Sequence, residues 1–186
     1  METLPMIKTP RLLLRLHDEP DFPECSSLWA NPEVVRYISG TPSTAPQAWA
    51  RMLAYRGHWV LRGYGYWVVT LQSTGEVLGE AGFADFKRQT EPPIELAPEM
   101  GWAFHPKFYG QGFATEAGLA MLDWARTRKL APEIKAVIHP RNDASIRLAA
   151  RLGFAHVRSL TVNEQASELF IWKMASPRGF EPRLPP

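Results

Sequence analysis

The segment from Glu99 to Ala125 constrains the fold more than any other part of the chain. Glu99-Met-Gly-Trp-Ala-Phe104 reads as a short strand, and after Lys107-Phe-Tyr-Gly-Gln-Gly112 a helix begins, because Ala114, Ala117, Gly118, Met121, Leu122 and Ala125 recur at three-and-four spacing. A strand, a glycine-bearing loop and a helix in that order suit a particular task. Small residues let the backbone approach a ligand, and the unpaired N–H groups of the helix start attract an anion such as a pyrophosphate. Two other phosphate loops are excluded: no Gly-Lys-Ser/Thr closes this one, and the third glycine of a dinucleotide fingerprint would fall at Thr115. A plain strand-to-helix turn that needs glycines for its geometry satisfies the same local pattern.

The flanking sequence extends the pattern. Arg11 to Leu16 reads as a strand, Phe22 to Asn31 and Pro46 to Arg62 as helices, and Tyr66 to Leu71 with Val77 to Phe86 as a hairpin about the turn Gln72-Ser-Thr-Gly75. After the central helix come an apolar strand at Ile134 to Ile138, a helix from Asn142 to Leu152 ended by Gly153, and closing strands at Phe154 to Thr161 and Glu168 to Met174. That order is neither a repeating βαβ wheel nor separate helical and strand halves. It predicts an α/β (α+β) fold with a mixed, mostly antiparallel sheet of about seven strands and helices on both faces.

With 186 residues, 45% of them hydrophobic and 22% charged, the chain is expected to form one domain over 1–175. A tail over 176–186 carries four prolines in eleven residues and is expected to be disordered. No stretch reaches the roughly 18 to 20 apolar residues of a membrane helix, and Met1 to Thr9 lacks the pattern of a secretory signal, so a cytoplasmic location and no membrane partner are expected. A net charge of +2 gives no argument for nucleic acid. Cys25 is the single cysteine, so no intrachain disulfide can form; it reads as a small core residue, and no spaced Cys/His cluster announces a metal.

Glu99 to Ala117, followed by Asn142-Asp-Ala-Ser145 and Arg151-Leu-Gly-Phe154, closely resembles the GNAT acetyltransferases, and most of all the branch containing the ribosomal-protein N-terminal acetyltransferases. The resemblance runs from about Lys8 to Met174 and includes Thr9-Pro-Arg-Leu-Leu-Leu-Arg and Asn31-Pro-Glu-Val-Val-Arg-Tyr37. It implies acetyl-CoA as co-substrate, no metal, and a sheet splayed where the strands ending at Phe104 and Ile138 part. The pantetheine arm would lie in the gap against backbone groups of Ala103 and Phe104. The pyrophosphate would meet Gln111, Gly112, Phe113 and Ala114, with Lys107 and Gly110 completing the loop. Lys107 stands where the family pattern Gln/Arg-x-x-Gly-x-Gly/Ala begins, keeping the charge and losing the guanidinium fork. Asn142 would reach the pantetheine or the thioester end, and it equally suits an N-cap. Arg141, Arg147 and Arg151 could meet the 3′-phosphate of CoA, or form a solvated helix face.

Amine acetylation by direct attack needs a neutral amine, a stabilised oxyanion and a protonated leaving thiolate. Glu99 is the candidate base; its alternative is a solvent-facing glutamate at a strand end. The backbone N–H of Trp102 or Phe104 would face the oxyanion. Because no tyrosine follows Tyr109, the thiolate falls to Ser145, which resembles the serine this branch uses and otherwise is an exposed residue of a first helical turn. Cys25, His105 and His139 are read as packing or turn residues. Tyr37 and Trp102 would line the acceptor pocket. Val157 replaces the glutamate of the ribosomal enzymes' Gly-Phe-x-x-Glu-Gly, which moves the expected acceptor toward a small-molecule amine or another protein N-terminus. A homodimer is left open. The acidic run Glu76, Glu80, Asp85, Glu91, Glu95 and Glu99 would welcome a cationic acceptor. An α-amino group, with a pKa of about 8, is easier to deprotonate than a lysine near 10.4. The alternative from another class is a catalytically silent acyl-CoA binding or sensing module.

Overall fold

The computed structural model describes residues 5–94 and 98–174. Glu95 and the proline-rich 176–186 segment lie outside the described residues. In chain order the elements are β1 (Ile7–Lys8), β2 (Leu12–Arg15), α1 (Phe22–Ala30), α2 (Pro32–Val35), α3 (Ala45–Arg62), β3 (Tyr66–Leu71) and β4 (Val77–Ala84). They continue as β5 (Thr90–Glu91), β6 (Glu99–Phe104), α4 (Phe113–Thr127), β7 (Glu133–Ile138), α5 (Asp143–Arg151), β8 (Ala155–Val162) and β9 (Gln165–Lys173). All of the strands join one sheet in the order β1-β2-β3-β4-β6-β7-β9-β8-β5. Every neighbouring pair is antiparallel except β6 and β7.

The sheet therefore has nine strands where the sequence predicts about seven. The additions, β1 and β5, are two residues each, too short to show a period-two pattern, and they form by pairing with β2 and β8 at the two edges. The short α2 was also unannounced; Asn31 starts it by accepting the Glu33 N–H at 2.9 Å.

Strand alternation sorts the side chains onto two faces. Leu12, Leu14, Trp67, Val69, Phe83 and Met100 point to one side and pack against the buried stripe Ala117, Met121, Leu122 and Ala125 of α4. On the other face Val68 meets Cys25 of α1, Tyr66 meets Tyr55 of α3, and Ala103 meets Leu28 and Trp29. No helix among the described residues is long and apolar enough to cross a membrane.

Glycine is required in β6 for a packing reason. The Tyr66 ring stacks on Tyr55 with centroids 4.1 Å apart, and a Cβ added to Gly101 would lie 2.0 Å from the Tyr66 hydroxyl. Gly101→Ala is expected to cost about 1–3 kcal/mol by overpacking. Tyr66→Phe in the same chain should restore most of it in thermal melts, and an equal loss with and without the hydroxyl would mean that the clash lies elsewhere.

Candidate active site

The one parallel pair of the sheet holds only at its start. Glu99 pairs with Lys135, whose N–H donates to Pro98 O at 3.0 Å; beyond that point no pairing joins β6 to β7. On its other side β6 is paired with β4 along its whole length. The His105 N–H donates to Leu78 O at 2.8 Å, which sets the alternation of that ladder: Gly101, Ala103 and His105 turn their backbone groups to β4, and Trp102 and Phe104 turn theirs to the gap. This corrects the expectation for Ala103, whose amide and carbonyl face Glu80. The backbone groups of Phe104, like those of Trp102, face the open edge.

At the far end of the gap the chain makes a 3-10 turn over Pro106–Phe108 and enters the glycine loop. Gly110 and Gly112 both have left-handed backbone angles, with φ of 73° and 80°. The first bond of α4 runs from the Glu116 N–H to Gly112 O, so the amides of Phe113, Ala114 and Thr115 have no acceptor within the helix. The Lys107 ammonium is turned away to Glu76 at 2.7 Å, and the Lys107 carbonyl accepts from Gln111 Nε2 at 3.0 Å.

The cation beside this loop is instead Arg11. Its Nη1 donates to Gln111 O at 3.0 Å, its Nε to Glu116 at 2.6 Å, and its Nη2 lies 3.5 Å from where a Gly112 Cβ would be. Glu116 also accepts from the Thr9 hydroxyl and the Arg11 N–H, at 2.6 and 2.9 Å. Burial works to raise the Glu116 carboxyl, but these hydrogen bonds outweigh it and hold the group below the usual carboxylate range. Arg11 lies a hundred residues before the loop in sequence, and no local pattern joins them.

Between the gap and the α1–α3 face lies a cleft of about 320 Å³. It gathers Tyr37, Glu99, Trp102, Asn142 and Ser145, five of the residues singled out in the sequence. The Trp102 indole N–H donates to Ser145 Oγ at 3.1 Å across the gap, and Asn142 Oδ1 accepts the Ser145 N–H at 3.1 Å, the N-cap arrangement of α5. His139 stacks near Tyr37, with ring centroids 5.2 Å apart, and its Nδ1 accepts the Arg141 N–H at 3.1 Å. His105 is buried, and desolvation pushes its ring below the usual histidine range. Arg141, Arg147 and Arg151 are exposed.

Glu99 is not a solvent-facing strand end. Its side chain is 5% exposed, and its oxygens accept from Arg88 Nε at 2.9 and 3.0 Å and from Arg88 Nη2 at 2.8 Å. Lys135 is buried behind it, and desolvation lowers the ammonium from its usual range. Three of the other acidic groups expected to greet a cation are also committed. Glu76 holds Lys107, Asp85 holds Lys87 at 2.6 Å, and buried Glu80 bonds His17 at 2.8 Å and the Trp29 indole. With Cys25, His17 and Glu80 bring three potential ligand atoms within 4.8 Å of one another. Sequence spacing did not announce this group, since its members come from three separate segments. Desolvation and Glu80 raise the buried thiol well above its ordinary range, in keeping with Cys25 as a core residue.

The family model of the acetyltransferase (GNAT) domain matches residues 11–155. The chain belongs to the GNAT acetyltransferase family. Among its relatives, the uncharacterized N-acetyltransferase p20 of Bacillus licheniformis is 30% identical over 155 residues, covering 83% of each chain. An acetyltransferase of Agrobacterium tumefaciens strain C58 superposes with a TM-score of 0.79 at 26% identity, over 92% of this chain and 96% of that one. The fold is shared with RimL, a ribosomal L7/L12 α-N-protein acetyltransferase solved with coenzyme A, at a TM-score of 0.74 and 17% identity, over 91% and 98% of the two chains. This GNAT chain is thus an acyltransferase on a mixed sheet that opens between β6 and β7. GNAT enzymes use acetyl-CoA as acyl donor, and the parted strands with the glycine loop at their end fit such a cofactor: free edge amides for an amide-bearing arm, free helix amides and Arg11 for phosphates.

Proposed function

We propose that the protein transfers the acetyl group of acetyl-CoA to a primary amine by direct attack on the thioester. The observation that carries this is the parting of β6 from β7 after Glu99, which opens one cleft to an edge of free backbone groups on β6 and to Ser145 on α5. In this reading pantetheine lies along Trp102 and Phe104, and the pyrophosphate meets the amides of Phe113 to Thr115 with Arg11 alongside. The N–H of Trp102 or Phe104 stabilises the oxyanion; one such donor is worth on the order of a hundredfold in rate. Val157 does not line the cleft, and the acceptor is a protein N-terminus, whose α-amino group is partly neutral near pH 8, or a small amine of similarly low pKa.

In the same reading Ser145 protonates the leaving thiolate. A hydroxyl has one donor and two acceptor sites, and the Trp102 indole occupies an acceptor site, which leaves the Ser145 O–H proton to give. Ser145→Ala should lower kcat on the order of 10- to 100-fold with little change in acetyl-CoA affinity. An unaltered kcat under conditions where chemistry limits the rate would remove Ser145 from the step. The whole proposal is tested by measuring free CoA released from acetyl-CoA across a panel of amines. Folded protein that binds acetyl-CoA and releases CoA no faster with any amine than without would overturn it in favour of a binding or sensing role.

A further inference from the structure

We infer that the acceptor carries a carboxylate besides its amine, and that Arg51 receives that carboxylate in the cleft. This rests on the acetyl-transfer reading above and names its substrate class. Arg51 projects from α3 into the cleft wall, with its guanidinium 3.8 Å from the centre of the Trp29 ring. Its Nε is buried and has no hydrogen-bond partner among the described residues, and no carboxylate there lies within ion-pair distance of the guanidinium; the polar group acting on it is the Tyr55 hydroxyl. The contrast with other arginines is plain. Arg88 puts three hydrogen bonds on Glu99, Arg15 puts two on Asp21, and Arg11 is bonded to Glu116 and Gln111. A buried guanidinium N–H with no acceptor is unfavourable until something supplies one.

Charge points the same way. The lysines, arginines and carboxylates lining the cleft are Arg51, Arg88 and Glu99; Arg88 and Glu99 neutralise each other, so the lining itself is left with the positive charge of Arg51, while buried Glu80, behind Trp29, is engaged with the indole and His17. A cationic diamine would add to that charge, and an amine with one carboxylate would cancel it. Trp29 holds the guanidinium by its face, so its edge is left for a planar, two-pronged partner, which a carboxylate is. Tyr55, four residues on along the same face of α3, lines the same wall beside Arg51. Glu99, Trp102 and Ser145 line the cleft with Arg51, so one small molecule of both charges can span them.

A carboxylate could belong to a free amino acid or to an acidic side chain next to a peptide N-terminus. Two sets of matched acceptors separate the sources: free α-amino acids against their carboxamides, and tripeptides with Asp against Asn at the second position. In at least one set the wild-type kcat/KM, expressed per neutral amine because an adjacent carboxylate raises the ammonium pKa, should favour the carboxylate by about tenfold or more, the usual scale of a charge-assisted pair, and Arg51→Gln should bring that ratio to within about threefold of unity. Arg51→Lys should keep part of the preference, and melting curves verify that both variants are folded. Equal use of both members by the wild type in every pair, or a ratio that survives Arg51→Gln, would overturn the inference. If no pair is turned over, acetyl transfer to these amines has failed, and calorimetric titration of the same pairs decides separately. Binding of the carboxylate member that Arg51→Gln weakens upholds the inference, and binding indifferent to the carboxylate or to Arg51 overturns it.

Discussion

Gly112→Val is expected to fold and to bind acetyl-CoA about 10² to 10⁴ times more weakly than the wild type. Gly112 has φ of 80°, and an added Cβ would meet only Arg11 Nη2, at an ordinary 3.5 Å. The main penalty to the fold is that of a β-branched residue at a left-handed backbone, about 1–3 kcal/mol, which a domain stable by about 5–15 kcal/mol can absorb. The penalty to the cofactor is larger. The new side chain grows from the N-cap of α4, ahead of the free amides of Phe113, Ala114 and Thr115 where an anion must come close. Losing two charge-assisted hydrogen bonds at about 1.5–3 kcal/mol each accounts for the expected range. Calorimetry on a variant with a verified melting transition gives the answer. Wild-type affinity in that variant would take the pyrophosphate away from this loop.

The sequence announces elements whose signal is local and hides whatever depends on a partner strand. The spans Tyr66–Leu71 and Glu99–Phe104 follow from apolar strand composition and flanking turns, and α4 from its stripe; these coincide with the structure. Which backbone groups of β6 are free is a different kind of fact. It depends on the register with β4, through His105 and Leu78, and so the sequence cannot choose between Ala103 and Trp102. Charges behave likewise. Lys107 occupies the family's basic position, yet Glu76 on the β3–β4 turn draws it off, and Arg11 reaches the loop from the residue before β2, a hundred residues earlier. Acidic residues counted along the sequence suggest a site for a cation, whereas their partners Arg88, Lys87, Lys107 and His17 can be recognised only once the sheet is assembled. Arg51 and Trp29 come from different helices, and neither belongs to a motif.

Glu99→Gln should lower kcat/KM for the amine by about 10² to 10⁴ at neutral pH while acetyl-CoA affinity is nearly preserved. Arg88 fills part of the carboxylate's capacity with three hydrogen bonds, but a carboxylate offers about four lone-pair sites, and Glu99 lines the cleft. It can thus accept an amine proton, directly or through water, while Arg88 fixes its orientation. The substitution also has a structural side. It leaves Arg88 without a counter-ion, and because that side chain is 32% exposed, water relieves much of the loss and the stability cost should stay near 1–2 kcal/mol. Arg88→Gln separates the two effects. It breaks the same ion pair and, because it leaves the 5%-exposed Glu99 carboxyl without a counter-ion, should lower the melting temperature at least as much, yet it keeps that carboxyl group in the cleft and should slow the reaction less. Raising the pH should partly rescue Glu99→Gln, since below an amine pKa of about 8 each unit supplies roughly ten times more neutral amine without help from a base. If both variants slow the reaction equally and neither responds to pH differently from the wild type, Glu99 is the counter-ion of Arg88 and the proton leaves by another route.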